Sequence, residues 1–242
     1  MRGYIDLHSH WVAGVDDGAR SFSESRALLD ALHRAGFDKV VATPHMRPGM
    51  FDNTKSDLSA AYERTRAAVT AMPGPLPELG LSSEHFFDDV VYQRLLGGSA
   101  LPYPGEKAVL VEFPTRAFPA RVDHRFFDLM RRGLRPVVAH PERYQPVWDD
   151  PAVLDPLLDG GAVLLLDVAS LAGKYGRGPK KSAELLLSQG CYYAACSDAH
   201  KASDVDDVIQ GITRLIDEVG KEEADFLLRE GPRAILAGEV ED

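Results

Sequence analysis

The sequence predicts an α/β fold in which a parallel sheet carries the functional residues along one edge. Short runs rich in valine, isoleucine and leucine alternate with amphipathic stretches, as βα units require. Val109–Val111 and Val163–Leu166 are apolar throughout, which is typical of strands covered on both faces. Histidines and carboxylates follow most of these runs, and the carboxyl ends of parallel strands are where function collects.

The strands are predicted from these apolar runs, with edges set to within a few residues. Each run is short enough for a strand and is followed by polar or turn-forming residues. Seven strands are predicted: Tyr4–His8, Lys39–Thr43, Leu79–Glu84, Ala108–Phe113, Arg135–Ala139, Ala162–Val168 and Tyr192–Ser197.

The helices are predicted from amphipathic periodicity between the strands. The first has the clearest limits, because Ser21 and Glu24 have capping-box spacing and Gly36 follows its last periodic residue. A further helix and a docking turn are expected within residues 222–236. The helices are Ser23–Ala35, Lys55–Ala71, Asp88–Leu96, Pro119–Arg132, Pro151–Asp159, Lys180–Gln189 and Asp204–Val219.

Composition and length bound the class of protein. The chain has 242 residues, 45% hydrophobic and 26% charged, which is ordinary globular usage. Since α/β barrels of this size form single domains and no linker divides the chain, residues 1–242 are predicted to form one domain. The net charge of −10 disfavours nucleic acid as a partner.

The compartment is predicted to be the cytoplasm. The N-terminus lacks the apolar core of a signal peptide, and no apolar run approaches the length of a membrane span, so membrane insertion is not expected. Cys191 and Cys196 would point to opposite faces of a strand, which favours two reduced thiols over a disulfide.

The strand ends carry a set of residues that ligate metals. His8 and His10 are two apart in an extended segment, so both rings point the same way, as a shared metal requires. Later strand ends supply more nitrogen and oxygen donors. The nine candidate ligands are His8, His10, Asp17, His45, Glu84, Glu112, His140, Asp198 and His200.

Nine ligands exceed what one ion needs, so two or three divalent ions are predicted, and mixed N/O donors suit Mn, Fe or Zn. Any one of these histidines alone is more often a hydrogen-bonded structural residue. Glu112 is harder to explain structurally, because a carboxylate in a buried strand is costly without a cation. His33, His85 and His124 are predicted to be surface or supporting residues.

The sequence lacks the residues that other phosphatase and nucleotide-binding mechanisms require. No arginine follows either cysteine at the spacing of a cysteine-nucleophile phosphatase, and no G-x-S-x-G element is present. Gly173–Gly178 is glycine-rich, but Pro179 stands where a P-loop has lysine. This segment is predicted to be a flexible loop.

The chain resembles the polymerase and histidinol phosphatase (PHP) superfamily. Within it, the chain is most similar to the bacterial protein-tyrosine phosphatases of capsule and exopolysaccharide clusters. The likeness covers nearly the whole chain, in order. It rests on His8-x-His10, Asp16-Asp17-Gly18, Thr43-Pro44-His45, Gly49-Met50-Phe51, Glu84, Glu112-Phe113, Ala139-His140-Pro141-Glu142-Arg143-Tyr144, Ser197-Asp198-x-His200 and Gly231-Pro232-Arg233.

The resemblance implies a distorted (β/α)7 barrel with a trinuclear, commonly manganese-dependent site. It implies dephosphorylation of tyrosine-phosphorylated kinases that control polysaccharide export, and it allows an oligomer because some relatives assemble. The nine candidate ligands match the family's positions, and Arg143 matches an arginine that contacts phosphate. A second arginine that some members place after the D-x-H motif has no counterpart in Ala202–Asp207. Arg47, Arg177 or Lys180 are the candidates to replace it.

The mechanism expected from these residues is attack of a metal-bound hydroxide on phosphorus. Glu112 would bridge two ions, His140 would hold an ion, and Arg143 would neutralise the phosphoryl oxygens. Two alternatives remain at this level. One is a PHP phosphatase for a small molecule such as histidinol phosphate, and the other is a non-catalytic, metal-stabilised binding module.

Overall fold

The computed structural model describes residues 2–240. The predicted domain, residues 1–242, extends past this range by Met1, Glu241 and Asp242. The strands are β1 Tyr4–Asp6, β2 Phe37–Ala42, β3 His45–Met46, β4 Glu78–Leu81, β5 Glu84–Phe86, β6 Ala108–Glu112, β7 Arg135–Ala139, β8 Val163–Asp167 and β9 Tyr192–Cys196.

Helices follow the strands in sequence. They are α1 Phe22–Ala35, α2 Lys55–Thr70, α3 Asp89–Leu96, α4 Val122–Arg131, α5 Gln145–Asp149, α6 Asp155–Asp159, α7 Val168–Ala172, α8 Arg177–Ser188, α9 Val205–Asp225 and α10 Gly231–Ala237. Short 3-10 turns precede or follow several of them, and a π-helical segment, Phe226–Glu230, joins α9 to α10.

The strands form two sheets in which every pairing is parallel, in the orders β1-β2-β4 and β3-β5-β6-β7-β8-β9. The predicted α/β fold with a parallel sheet is therefore confirmed. The second predicted strand, Lys39–Thr43, lies in β2 apart from Thr43, and the chain breaks at Thr43 and Pro44 before β3, a strand that was not predicted. The third predicted strand is divided between the sheets and breaks at Ser82 and Ser83.

The break in the second strand has a local cause. Pro44 has no backbone N–H and cannot donate to the ladder. Beyond the break, His45 pairs with Glu84, so the interruption brings two candidate ligands side by side in register. Leu79–Glu84 was wrong as one continuous strand, because it divides into β4 and β5 at Ser82 and Ser83, whose hydroxyls donate to Leu101 O and Pro44 O.

The segments that follow the first and last strands are hydrogen-bonded to each other. Asp198 N donates to His8 O at 2.9 Å, and His10 N donates to Ala199 O at 3.0 Å. The buried Asp6 carboxylate strengthens this contact by accepting Ser197 N at 2.9 Å and Ser197 Oγ at 2.6 Å. The segments that follow the first and last strands of the chain therefore lie side by side.

Both faces of the sheets are buried, as the uninterrupted apolar runs predicted. One cluster of core side chains lies between strands and helices and includes Leu28, Phe126 and Leu186. A smaller cluster gathers alternate residues of six strands on the opposite face. Its members include Ile5, Val41, Leu110, Val137, Leu165 and Ala194.

Several predicted helix limits change in the structure. The Ser21 side chain caps α1 by accepting Glu24 N at 3.2 Å, but Glu24 Oε2 accepts Arg20 N, so the capping box is only half formed. α4 begins at Val122 rather than Pro119, and Pro151–Asp159 divides into a 3-10 turn and α6. The predicted flexible loop is partly wrong, because α8 already begins at Arg177.

Three further features complete the fold. α9 runs to Asp225 through a non-helical Gly220, so it absorbs the start of the predicted closing helix. Cys191 and Cys196 are both free thiols, as expected. Among residues 2–240, no helix is long and apolar enough to cross a membrane.

Candidate metal centre

His8 and His10 leave β1 with their rings side by side, Nε2 to Nε2 at 3.2 Å, as their spacing predicted. Both side chains are fully buried. His10 Nδ1 contacts Asp16 Oδ2 at 2.8 Å, which turns the other ring nitrogen toward the cluster. Gly18 lets this loop close, since a Cβ there would lie 2.1 Å from His10 O.

All nine predicted ligands come together in the structure. Within residues 2–240 they form four overlapping groups, in each of which the ligand atoms lie within 4.8 Å of one another. The groups are His10, Asp17, His45 and His200; His8, His10 and Asp198; His8, Glu84 and His140; and His45, Glu84 and Glu112. Two neighbouring ions can share a ligand only where one residue belongs to two groups, and these groups meet that requirement.

Glu84 is the carboxylate that joins two of the groups. Its Oε1 lies 3.0 Å from His140 Nε2, and its Oε2 lies 2.9 Å from His45 Nδ1 and 3.3 Å from His8 Nε2. Glu112, which sequence reasoning favoured as the bridge, belongs to a single group. Glu84 is therefore the carboxylate that two of the groups share, and its strand, β5, follows β4 after a break.

The pKa shifts within the cluster indicate that it favours added positive charge. Burial lowers the pKa of His45, but the Glu84 and Asp17 carboxylates outweigh it and raise that pKa to about 11. Burial and the Glu84 charge raise the pKa of Glu112 to about 7. Because crowded carboxylates recruit protons onto nearby rings, divalent cations would replace those protons.

Unpartnered buried atoms also fit a metal. Glu112 Oε2 and Asp198 Oδ1, which belong to two different ligand groups, are buried and lack a hydrogen-bond partner among residues 2–240. A buried polar atom without a partner is costly, and oxygen and imidazole nitrogen are the donors that Mn, Fe and Zn take. The residues present therefore fit two or more divalent ions.

Two of the candidate ligands stand on strained backbone. His140 has φ 35° and Asp198 has φ 43°, both in the left-handed region that residues other than glycine rarely adopt. They follow β7 and β9 directly. Strain of this kind concentrates at functional sites, where the surrounding structure offsets it.

Arg143 lies beside the cluster in the turn after His140. Its guanidinium donates to Asp198 Oδ2, and Nη1 lies 3.8 Å from Asp167 Oδ2. These carboxylates raise the pKa of Arg143 against the effect of burial, so the group stays charged. The side chain is 27% exposed, which leaves donors open to a ligand.

The three candidate replacements for a second arginine differ in placement. Arg47 lies over the Phe86 ring, 4.0 Å from its centroid, and its charge helps to hold down the pKa of Glu112, which burial raises. Arg177 is exposed at the start of α8, and Lys180 lies 3.9 Å from Glu184 on the same helix. Arg47 is therefore the candidate nearest the cluster.

Sequence reasoning missed three polar residues at the site, Asp6, Asp167 and Tyr175, and it quoted Asp16 within a motif but gave it no role. Asp167 ends β8, the strand for which no ligand was found, and is fully buried. Its position as a carboxylate near the end of a predicted strand was the signal that could have identified it. His33, His85 and His124 belong to none of the four groups, and burial lowers the pKa of His85 to about 4.

The fold and the site define the class of protein. It is an α/β protein whose parallel strands end in histidine, aspartate and glutamate groups able to bind metal ions.

The chain belongs to the CpsB/CapC family of capsular polysaccharide synthesis proteins, whose profile matches residues 4–237. The family-level resemblance predicted from the sequence is thereby confirmed.

Individual relatives agree with this assignment. Tyrosine-protein phosphatase YwqE from Bacillus subtilis is 27% identical over 236 residues, covering 98% of this chain and 92% of its own length. Tyrosine-protein phosphatase CpsB from Streptococcus pneumoniae is 24% identical, covering 98% of this chain and 99% of its own. The likeness thus spans whole chains.

Solved structures match as well. A chain from the crystal structures of YwqE and CpsB, described as metal-dependent tyrosine phosphatases, has a TM-score of 0.89 and 28% identity, covering 98% of this chain and 95% of that one. An organophosphorus hydrolase variant from Deinococcus radiodurans has a TM-score of 0.59 at 12% identity, covering 97% and 93%. The second match shows similarity of fold alone.

Proposed function

We propose that this chain is a metal-dependent protein-tyrosine phosphatase. The observation that carries the proposal is the convergence of nine ligands from successive strand ends beside an arginine with free donors. The names of YwqE and CpsB support the substrate class. The substrate we propose is a tyrosine-phosphorylated protein, namely a bacterial tyrosine kinase that controls capsule or exopolysaccharide synthesis.

The proposed cofactor is two or three divalent ions, with manganese favoured and iron or zinc as alternatives. When bound, the ions would supply Lewis-acid stabilisation of the phosphoryl oxygens and would lower the pKa of water at the site, which would serve as the nucleophile. The nine candidate ligands would hold the ions, with Glu84 in two groups and Glu112 and His140 in one each.

Arg143 binds the phosphoryl group in this proposal. Its planar guanidinium can donate two parallel hydrogen bonds to phosphoryl oxygens and neutralise charge as the bond to the leaving phenolate breaks. Arg47, whose charge also acts on the Glu112 carboxylate, would supply the second cation. A phenolate needs little protonation to leave, which suits a site rich in cations.

We extend the proposal to the architecture and location of the protein. A single distorted (β/α)7 barrel over residues 1–242 is supported by the hydrogen bonds between the segments after β1 and β9 and by the six-strand interior cluster. The absence of a membrane-spanning helix among residues 2–240 is compatible with a cytoplasmic enzyme.

Metal analysis of the purified chain, joined to hydrolysis assays with Mn, Fe and Zn added back, tests the function. We expect bound divalent metal and faster turnover of a phosphotyrosine peptide than of histidinol phosphate. The Glu112→Gln and His140→Ala variants should lose at least about a hundredfold in turnover, whereas His124→Ala, on an exposed helix position, should not. Full activity in the first two variants would contradict the proposal.

A further inference from the structure

A carboxylate and a tyrosine that belong to none of the ligand groups lie beside Arg143. Asp167, at the end of β8, accepts Ala169 N on Oδ1 at 2.9 Å. Its Oδ2 is buried, has no hydrogen-bond partner within residues 2–240, and lies 3.8 Å from Arg143 Nη1. None of the four metal-ligand groups includes Asp167.

The Arg143 guanidinium lies over the ring of Tyr175. The guanidinium carbon lies 4.4 Å from the centroid of the Tyr175 ring, which is the geometry of a cation–π contact. Burial and, after it, the charge of the Asp167 carboxylate raise the pKa of the Tyr175 phenol. The Tyr175 ring and the Asp167 carboxylate are thus both neighbours of the guanidinium.

The turn that carries Tyr175 is held in place at both ends. Gly173 and Gly176 have φ 90° and 93°, and Gly176 N donates to Gly173 O at 3.0 Å. Lys174 Nζ lies 3.4 Å from Asp204 Oδ1, and Asp204 Oδ2 accepts His200 N at 3.0 Å. The turn is therefore tied to the segment that carries a candidate metal ligand.

We propose that Tyr175, through its ring, is a positioning residue that sets the plane of the Arg143 guanidinium for the substrate phosphoryl group. This inference rests on the proposed phosphatase function. Among residues 2–240, Asp198 is the carboxylate to which Arg143 donates, and it is itself a candidate metal ligand, so an ion would compete for its oxygens. A ring packed against the guanidinium would keep its plane fixed in either case, with two donors directed at phosphate.

The test uses the manganese-loaded full chain, with inorganic phosphate as a competitive inhibitor of p-nitrophenyl phosphate hydrolysis. Tyr175→Leu should raise the inhibition constant for phosphate and the KM about tenfold, since a desolvated cation–π contact contributes that much. Bound metal per chain should be unchanged. Tyr175→Phe keeps the ring and should stay within about twofold of the original protein.

The chain offers a matched control. Tyr92 lies under Arg125, with 5.0 Å from guanidinium carbon to ring centroid, and its hydroxyl donates to Asp128 at 2.7 Å. The same three side-chain types thus meet on α3 and α4, outside the cluster. Tyr92→Leu should leave the inhibition constant for phosphate unchanged.

A double-mutant cycle separates positioning from direct contact with phosphate. In an Arg143→Met background, Tyr175→Leu should have no further effect on phosphate inhibition, because the group it positions is gone. An equal effect in both backgrounds, or an unchanged inhibition constant in Tyr175→Leu alone, overturns the inference. Tyr175→Met serves the same comparison should the leucine variant not fold. Absence of phosphatase activity in the original metal-loaded chain would instead overturn the proposed function.

Discussion

At the scale of single residues, the metal centre depends on side chains that are not ligands themselves. His10 can direct Nε2 toward the cluster because Asp16 accepts the proton on Nδ1. The same Asp16 oxygen accepts His45 N at 3.1 Å, so one carboxylate orients a ring and fixes the backbone of a second candidate ligand. Such partners commonly contribute as much as a weak ligand does.

Asp16→Asn should therefore weaken metal binding by about 10- to 100-fold, because the amide no longer sets the tautomer of His10. Equilibrium dialysis against manganese, with metal content measured at several free concentrations, gives the affinity. Asp30→Asn is the matched control, since Asp30 pairs with Arg26 on α1 at 2.7 Å. Unaltered affinity in Asp16→Asn would show that the ring needs no such partner.

Glu142 is a second supporting residue, buried below the turn that carries Arg143. It accepts Asp167 N at 3.1 Å and Ser170 Oγ at 3.0 Å on Oε1, and Tyr192 OH at 3.0 Å on Oε2. Burial and the nearby Asp167 charge raise the pKa of Glu142 from 4.5 to about 8. The folded state therefore prefers the protonated acid.

The sign of the pH effect follows from this shift. Below the unfolded pKa both states hold the proton, and as pH rises the unfolded chain ionises first, so Glu142 destabilises the fold progressively between about pH 4.5 and about pH 8. Glu142→Gln cannot ionise and should flatten that part of the stability profile. Urea unfolding across this range measures it, with exposed Glu63→Gln as control. Parallel profiles for Glu142→Gln and the original protein would refute the assignment.

At the scale of elements, short helices hold the strand ends in place. α7 follows β8 directly and packs on α9 at Gly211, where a Cβ would lie only 2.0 Å from Val168 O. The contact is between backbones, so it cannot be relieved by a side-chain rotation. The position of Asp167 and Tyr175 beside Arg143 depends on this packing.

Gly211→Ala should accordingly lower the free energy of unfolding by about 2 kcal/mol or more, because α7 and α9 must separate. Thr213→Ala, exposed on the same helix, should change it by less than about 0.5 kcal/mol. Chemical denaturation of both variants is the measurement. A stable Gly211→Ala protein would mean that the two helices are free to shift.

At the scale of the whole molecule, the four acidic candidate ligands, Asp17, Glu84, Glu112 and Asp198, converge from distant parts of the chain. Bound cations relieve their mutual repulsion and bind only the folded arrangement. The metal centre and the stability of the fold are therefore linked.

Removing metal with a chelator should lower the unfolding temperature. Adding manganese at 100 times its dissociation constant should raise the free energy of unfolding again by about 2.7 kcal/mol per independent site. Calorimetry with and without chelator measures this. His140→Ala, which disrupts one group of ligands, should respond less. An unfolding temperature that does not change with metal would contradict the linkage between metal binding and the stability of the fold.

The sequence by itself determined the α/β class, the approximate places of the strands and the nine candidate ligands. Apolar runs report burial on both faces, and a parallel strand must deliver the residues after it to one edge. Only the tertiary structure decided how those ligands are shared. The breaks at Pro44 and Ser82 place Glu84 in two of the ligand groups, and the packing of β8 and α7 brings Asp167 and Tyr175 to Arg143. These outcomes depend on contacts between residues far apart in the chain, which no local pattern encodes.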